Sequence, residues 1–203
     1  IEHLSYTIKS LERAGVSALV IEDKIGIKRN SLFENQKETR QDSIKNFCNK
    51  IKTINKSKIS EDFFVIARIE SFILGKSLSD ALKRANAYSK AGADAILIHS
   101  KEKTPKQIFA FANKFSKSKF YKPMVAVPST YSKTTEKQLV DHGFKIVIYA
   151  NHMLRAAYPA MVNTAKKMPT RQKKLDRLYK FSSYLNSKIE HIGQNRLFKQ
   201  LVA

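Results

Sequence analysis

Two acids follow a short apolar segment near the start of the chain and precede a loop rich in cations and amides. Residues 17–31 read SALVIEDKIGIKRNS, so Glu22 and Asp23 end the apolar segment while Lys28 and Asn30 lie in the loop. A surface turn needs only residues such as Gly and Asn. The two carboxylates therefore require a separate explanation.

A cation, Arg68, lies inside the apolar segment FVIARIESF, which is typical of a buried strand. A buried cation needs an anionic partner. Glu70 is one candidate and would make a purely structural ion pair. A phosphate-like substrate is the other, because a guanidinium group can bind two phosphoryl oxygens at once. The residues alone leave both alternatives open.

Helical and extended segments alternate along the chain and repeat one unit. The segments ERAGVSALVI, SKAGADAILI and VDHGFKIVI each contain a helix end, a Gly where the helix stops and an apolar strand. Glycine suits this position because the residue after a helix often has positive φ. The strands are continuous apolar runs, as in a parallel sheet covered on both faces. We therefore predict five βα units, then a helix over residues 152–166 and a charged helix from about residue 171 to 190.

Five βα units fit either an open doubly wound sheet or part of a (β/α)8 barrel, and both folds place active sites at the carboxyl ends of the strands. The polar residues predicted at those ends are Glu22, Asp23, Arg68, Glu70, His99, Ser100, Ser129, Thr130, Asn151 and His152. Any one of them could instead be a helix N-cap or an ordinary loop residue. Together they predict a site at one edge of the sheet.

Composition limits the class of protein. The 203 residues are 42% apolar, include a single cysteine, Cys48, and contain no apolar run near the ~20 residues that a membrane-spanning helix needs. We expect a globular cytoplasmic protein without disulfides, a thiolate metal cluster or a membrane span. The net charge of +21 raises nucleic acid as a partner, but the lysines are spread over every helix. Solvated helix faces are the first interpretation, a small anionic substrate the second and nucleic acid the third.

Four longer segments, IEDKIGIKRNS, VIARIESF, KRANAYSKAGADAILIHSK and VIYANHMLRA, together resemble the phosphoenolpyruvate mutase family of the isocitrate lyase and phosphoenolpyruvate mutase superfamily. The resemblance covers residues 1 to about 165, and the loop after Glu22 is its most specific part. It implies a (β/α)8 barrel. It also implies an enzyme of phosphonate biosynthesis that moves a phosphoryl group between the enol oxygen of phosphoenolpyruvate and C3 of phosphonopyruvate.

The resemblance further implies roles for individual residues. Glu22 would help to hold a hydrated Mg²⁺, for which carboxylate oxygens are suited directly or through water. The loop would gate the site, with Lys28 and Asn30 as catalytic residues and Ser31 and Leu32 as substrate-binding residues. Arg68 and His99 would contact the transferred phosphoryl group and would both bind substrate and act in catalysis.

The loop also separates this chain from related enzymes. Isocitrate and methylisocitrate lyases carry a KKCGH-like loop with an acid/base cysteine, where this chain has IKRNS. That difference argues against carbon–carbon lyase chemistry and places a mutase ahead of a phosphonopyruvate hydrolase, which shares most of the site. A basic nucleic-acid-binding domain is the non-enzymatic alternative, and it predicts salt-dependent binding to DNA or RNA.

The chain departs from the family in one respect. Family members also have three earlier strands, an Asp-rich segment with direct metal ligands and a small-residue loop for the substrate carboxylate, and none of these occurs in the sequence. We therefore expect residues 1–167 to be the C-terminal five βα units of a barrel. Residues 168–203 are expected to form a charged helical tail that serves as an oligomerisation arm in a homo-oligomer.

Overall fold

The computed structural model describes residues 2–26 and 40–168. The strands are β1 (Ala18–Glu22), β2 (Lys24–Ile25), β3 (Arg40–Gln41), β4 (Phe64–Ile69), β5 (Ala95–Ile98), β6 (Met124–Ala126) and β7 (Phe144–Val147). The helices are α1 (Glu2–Arg13), α2 (Ile44–Ser57), α3 (Leu78–Lys90), α4 (Lys106–Phe115), α5 (Glu136–Asp141) and α6 (His152–Lys167). The chain divides into two units, residues 1–150 and residues 151–203, and α6 belongs to the second.

The main sheet of the first unit has five strands in the order β1-β4-β5-β6-β7, and all of its strand pairs are parallel. The spatial order of these five strands is therefore the same as their order along the chain. A doubly wound sheet reverses its order at a switch point, whereas a (β/α)8 barrel adds every strand on the same side. The observed order confirms the predicted barrel-type fold, with five βα units.

The predicted glycine signals mark helix ends in the structure. Gly15, Gly92 and Gly143 follow α1, α3 and α5 with φ values of +81°, +106° and +85°. At the start of α3, the Ser77 hydroxyl accepts a hydrogen bond from the Asp80 backbone N–H. The fifth strand of the main sheet, β7, ends at Val147, one residue before the end of the predicted segment VDHGFKIVI.

The two sheet faces have different neighbours. One face packs against helices, through strand residues such as Ala67, Ile69 and Ile96 and helix residues such as Phe47 and Phe111. The opposite face has its own cluster, Ile66, Ala95, Leu97, Val125 and Val127. Side chains alternate between faces along a strand, so the residues that follow this second cluster at the strand ends lie on the same side.

Unit two is described by α6 alone. This helix matches the predicted helix over 152–166 to within one residue at its C-terminal end. The predicted charged helix and the tail beyond residue 168 lie outside the described residues, so the proposed division at residue 167 stays a prediction. Within the described parts of the chain, no helix has the length and apolar character needed to cross a bilayer.

Candidate active site

Three of the predicted site residues lie at the carboxyl ends of three neighbouring strands. Glu22 on β1 is the register partner of Arg68 on β4, and Arg68 in turn is paired with Leu97 on β5. His99 follows Leu97 by two residues. Glu22, Arg68 and His99 therefore share the sheet face opposite the helices, because residues two apart on a strand point the same way. The structure brings these three residues together as the sequence predicted.

The structure gives Arg68 the partner that the sequence left open. Its Nε–H donates to Glu70 Oε1 at 2.7 Å, and Glu70 is fully buried. The other Glu70 oxygen, Oε2, lies 3.8 Å from the Nζ atom of Lys24, whose side chain is also buried. Arg68 Nε is 3.7 Å from Glu22 Oε2. Arg68 is half-buried and not fully buried as its apolar surroundings in the sequence suggested, since 22% of its side chain is exposed. The ion pair accounts for this cation without a substrate, and a substrate contact is therefore a separate proposal.

His99 is a buried histidine beside these charges. Burial, together with the positive charges of Arg68 and Lys24, lowers the pKa of His99 to about 4, although Glu70 acts in the opposite direction. The imidazole is consequently neutral near pH 7, with one nitrogen as a donor and the other as an acceptor. Its Nδ1 atom has no hydrogen-bond partner in the described part of the chain. A ligand atom could take that place.

The second acid of the opening segment, Asp23, lies on the helix side of the sheet and is fully buried. Its Oδ2 atom accepts hydrogen bonds from the Tyr88 hydroxyl at 2.7 Å, Gln41 Nε2 at 2.9 Å and Arg84 Nη1 at 3.2 Å. Its Oδ1 atom accepts from the Glu70 backbone N–H at 2.9 Å. Burial raises the pKa of Asp23, and the hydrogen bonds only partly offset that effect.

Sequence reasoning named Asp23 as a strand-end residue but missed the helix residues that hold it. Asp80, Arg84 and Tyr88 are spaced four apart on α3, so they lie on one helix face. Arg84 Nε donates to Asp80 Oδ2 at 2.9 Å, and Arg84 and Tyr88 are both buried. The sequence did carry a pattern that could have revealed them, because these polar residues recur every four positions next to the small apolar residues Ala81 and Ala85.

Two of the remaining strand-end residues, Ser100 and Thr130, have structural contacts. Thr130 Oγ1 donates to the Ser100 carbonyl at 2.9 Å, and the buried Ser100 hydroxyl donates to Gln107 Oε1 at 2.7 Å. These bonds join the loops that follow β5 and β6. Asn151 and His152 begin the second unit, and the structure therefore does not assign them to this edge of the sheet.

Four predicted residues, Lys28, Asn30, Ser31 and Leu32, lie outside the described residues. The described chain on either side of them is paired, since β2 and β3 form an antiparallel ladder in which Lys24 faces Gln41 and Ile25 faces Arg40. That ladder begins one residue after Asp23. The loop is thus connected at both ends to the strand end that carries Glu22 and Asp23.

Glu22 fits a magnesium ion only in part. Its half-buried carboxylate supplies the hard oxygens that Mg²⁺ prefers. However, the described residues contain no group of three or more His, Cys, Asp or Glu side chains that could hold a metal ion. Mg²⁺ usually keeps several of its waters and takes one or two carboxylates. The arrangement therefore suits a contact from Glu22 through water.

Comparison of the sequence with known proteins identifies one family. The family model for phosphoenolpyruvate phosphomutase matches residues 1–169. A phosphoenolpyruvate phosphomutase from Tetrahymena pyriformis is 40% identical over 161 residues, which are 79% of this chain and 52% of that protein. A phosphonopyruvate hydrolase from Variovorax sp. (strain Pal2) is also 40% identical, over 162 residues that are 78% of this chain and 54% of the hydrolase.

A solved structure shows the same fold. The crystal structure of a phosphonopyruvate hydrolase complexed with oxalate and Mg²⁺ has a TM-score of 0.71 and 32% sequence identity, and the match covers 96% of this chain and 68% of the hydrolase chain. The chain spans about half the length of the two curated relatives that it matches. The extent of the family match and the shared identity lead to one conclusion: this chain belongs to the phosphoenolpyruvate phosphomutase family, within the isocitrate lyase and phosphoenolpyruvate mutase superfamily.

Proposed function

We propose that the protein acts as a phosphoenolpyruvate phosphomutase, which interconverts phosphoenolpyruvate and 3-phosphonopyruvate with Mg²⁺. The observation that carries the proposal is the strand-end cluster, in which Arg68 and Lys24 lie beside a neutral, buried His99. Such a cluster suits a small substrate with several negative charges. Phosphoryl transfer requires positioning and charge stabilisation more than covalent work by the protein.

The reaction moves one group and needs no other reactant. In the direction of phosphonate synthesis, the bond from phosphorus to the enol oxygen breaks, a bond from phosphorus to C3 forms, and the enol becomes a ketone. We assign Arg68 to the phosphoryl oxygens, because its guanidinium group suits phosphate geometry. We assign His99 to a neutral hydrogen bond at the same group. Bound Mg²⁺, reached by Glu22 through water, would supply positive charge beside the substrate oxygens.

The loop residues carry the choice between mutase and hydrolase. Water attacking the same phosphoryl group would release phosphate and pyruvate. We propose that Lys28 contributes positive charge, that Asn30 holds the phosphoryl group during transfer and that Ser31 and Leu32 bind the substrate. Exclusion of water from this site would favour transfer over hydrolysis. This assignment follows from residue types and from the resemblance.

Phosphonopyruvate hydrolase is the second candidate, and a specific observation favours it: the Variovorax hydrolase is as similar to this chain as the Tetrahymena mutase. Both activities would use the same charged strand ends. Carbon–carbon lyase chemistry is less well supported, since the position of the lyase cysteine holds a different sequence, IKRNS. The two leading candidates differ only in the acceptor of the phosphoryl group.

Phosphorus NMR distinguishes these candidates directly. The protein is supplied with phosphonopyruvate and Mg²⁺, and a mutase should convert the phosphonate resonance into that of an enol phosphate. Asn30→Ala should slow transfer steeply and shift residual turnover towards phosphate release, while Asn113→Ala, an exposed change on α4, serves as the matched control. Pyruvate and inorganic phosphate as the main wild-type products would establish the hydrolase instead.

Two further parts of the proposal concern the molecule's surroundings. We propose a homo-oligomer in the cytoplasm, with the tail from residue 168 as its oligomerisation arm. Light scattering of the protein with and without residues 168–203 measures the assembly.

The non-enzymatic alternative predicts tight binding to DNA or RNA that weakens with salt. Such binding at moderate salt, without turnover of phosphonopyruvate, would replace the enzymatic proposal.

A further inference from the structure

Glu70 is a fully buried carboxylate that lies between two cations. Its Oε1 atom accepts the Nε–H of Arg68 at 2.7 Å, and its Oε2 atom is 3.8 Å from Lys24 Nζ. Only 3% of the Lys24 side chain is exposed. A buried charge is costly unless it is paired. An apolar side chain could be buried here at a lower cost in free energy, so the presence of a carboxylate suggests a specific role.

The backbone around Glu70 is fixed from the other side of the sheet. The Glu70 N–H donates to Asp23 Oδ1 at 2.9 Å, and the Asp23 N–H donates to the Arg68 carbonyl at 3.0 Å. Asp23 thus holds the main chain on both sides of Ile69. Its second oxygen is held in turn by the buried hydroxyl of Tyr88, at 2.7 Å. Hydrogen bonds on the helix side of the sheet therefore fix the position of Glu70 on the opposite face, where the candidate site lies.

We propose that Glu70 is a positioning residue, which orients the Arg68 guanidinium so that it faces an anionic phosphoryl substrate beside His99. The inference rests on the proposed function. A hydrogen bond at Nε fixes the plane of a guanidinium group and, with it, the directions of its terminal N–H donors. Glu70 itself need not touch the substrate. Its effect passes through Arg68.

Two substitutions separate the charge of Glu70 from its position. Glu70→Gln keeps the length and an acceptor oxygen but removes the negative charge from between the two cations. Glu70→Asp keeps the charge but shortens the side chain by one methylene. Either change should misdirect the guanidinium group, and a shift of about 1 Å near reacting groups can cost about 100-fold in rate. Glu102→Gln, an exposed change in the loop after β5, is the matched control.

The decisive measurement is a double-mutant cycle on the consumption of phosphonopyruvate, whichever product forms. Glu70→Gln alone should lower kcat/KM about 100-fold, while the control stays within about twofold. In an Arg68→Ala background, Glu70→Gln should lower kcat/KM by less than a further factor of about three, because the group that it orients is gone. Independent losses that multiply in the double variant would overturn the inference. If Glu70→Gln fails to fold, Glu70→Asp replaces it in the same cycle.

A second readout separates this inference from the proposed function. Calorimetry with oxalate and Mg²⁺ and the NMR signal of the Arg68 Nε–H group need no turnover. If the wild-type protein consumes no phosphonopyruvate, the proposed function fails, whereas weaker oxalate binding and a moved Arg68 signal in Glu70→Gln would still support the positioning role. Unchanged oxalate affinity in that variant, or no oxalate binding by the wild type, would overturn it.

Discussion

Glu22 and Arg68 are register partners on neighbouring parallel strands, and Arg68 Nε lies 3.7 Å from Glu22 Oε2. The residue that we assign to the hydrated metal and the residue that we assign to the phosphoryl group are therefore adjacent. A metal reached by Glu22 and a phosphoryl group held by Arg68 would lie side by side. Two parallel donors to the phosphoryl group need the planar guanidinium group of Arg68, which gives the first prediction.

Arg68→Lys should reduce activity far more than stability. Lysine keeps a positive charge near Glu70 but cannot present two parallel donors to a phosphoryl group. We expect a loss of about 100-fold or more in kcat/KM, from the misplacement of donors at the reacting group. The free energy of unfolding, from denaturant melts, should fall by only about 1 kcal/mol, the typical loss for a single substitution, because lysine keeps a positive charge beside Glu70. Arg13→Lys, an exposed change on α1, is the control. Equal damage to activity and stability would indicate a purely structural pair.

His99 should make the protein less stable as the pH falls. Its folded pKa of about 4 lies below the ordinary value of 6.5, so the unfolded chain binds more protons between these values. Stability contributed by the neutral ring is therefore present above pH 6.5 and is lost as the pH falls towards 4. Between pH 7 and 5 this loss amounts to about 2 kcal/mol.

His99→Gln tests that assignment. Denaturant melts of the wild type and the variant at several pH values give the free energy of unfolding for each. The variant should lose about 2 kcal/mol less than the wild type between pH 7 and 5. His3→Gln, an exposed change on α1, is the matched control. Parallel pH curves for the wild type and His99→Gln would show that another group causes the acid sensitivity.

Gly92→Ala should destabilise the protein more than Gly15→Ala. Both glycines have positive φ, at +106° and +81°, so an added side chain is strained at either place. Such strain costs about 1–3 kcal/mol. Only at Gly92 would the new Cβ atom also meet a side chain, 2.6 Å from Asn55 Nδ2. That nitrogen donates to the Gly92 carbonyl at 2.9 Å and would have to move.

Thermal and denaturant melts of the two alanine variants isolate the Asn55 contact. We expect Gly92→Ala to cost about 1 kcal/mol more than Gly15→Ala, which is about the net value of one hydrogen bond. Equal losses would mean that Asn55 moves aside without cost, and that backbone strain alone decides both results.

Three exposed lysines at the carboxyl end of the sheet, where we propose the active site, should attract the anionic substrate. Lys101, Lys103 and Lys106 follow His99 in the loop and first turn after β5. Changing all three to Gln should lower kcat/KM at low salt by about tenfold, as expected for lost electrostatic steering. It should leave kcat nearly unchanged. The difference should shrink as salt screens the charges.

A matched variant removes the same charge at the opposite end of the sheet. The exposed lysines at and after the C-terminal end of α4, Lys114, Lys117 and Lys119, are changed to Gln. This variant should keep the wild-type kcat/KM and its salt dependence. If both triple variants behave alike, the overall net charge matters and the position of the lysines does not.

The sequence by itself determined the βα units, the helix ends and the family. Apolar runs predicted the strands, and glycines such as Gly92 predicted where helices stop, because these features depend on neighbouring residues. The residue types named Glu70 as one of two candidate partners of Arg68, and the loop residues from Lys28 to Leu32 distinguished the family from its lyase relatives. Those inferences needed no knowledge of distant contacts.

Only the tertiary structure decided how the charges at the site are paired. Tyr88 and Arg84 reach Asp23 across 65 and 61 residues of sequence, and no local pattern specifies such a meeting. The lowered pKa of His99 likewise depends on burial and on Arg68 and Lys24, which come from two other strands. Pairing and desolvation are properties of distances in space, so they become defined only when the strands and α3 pack together.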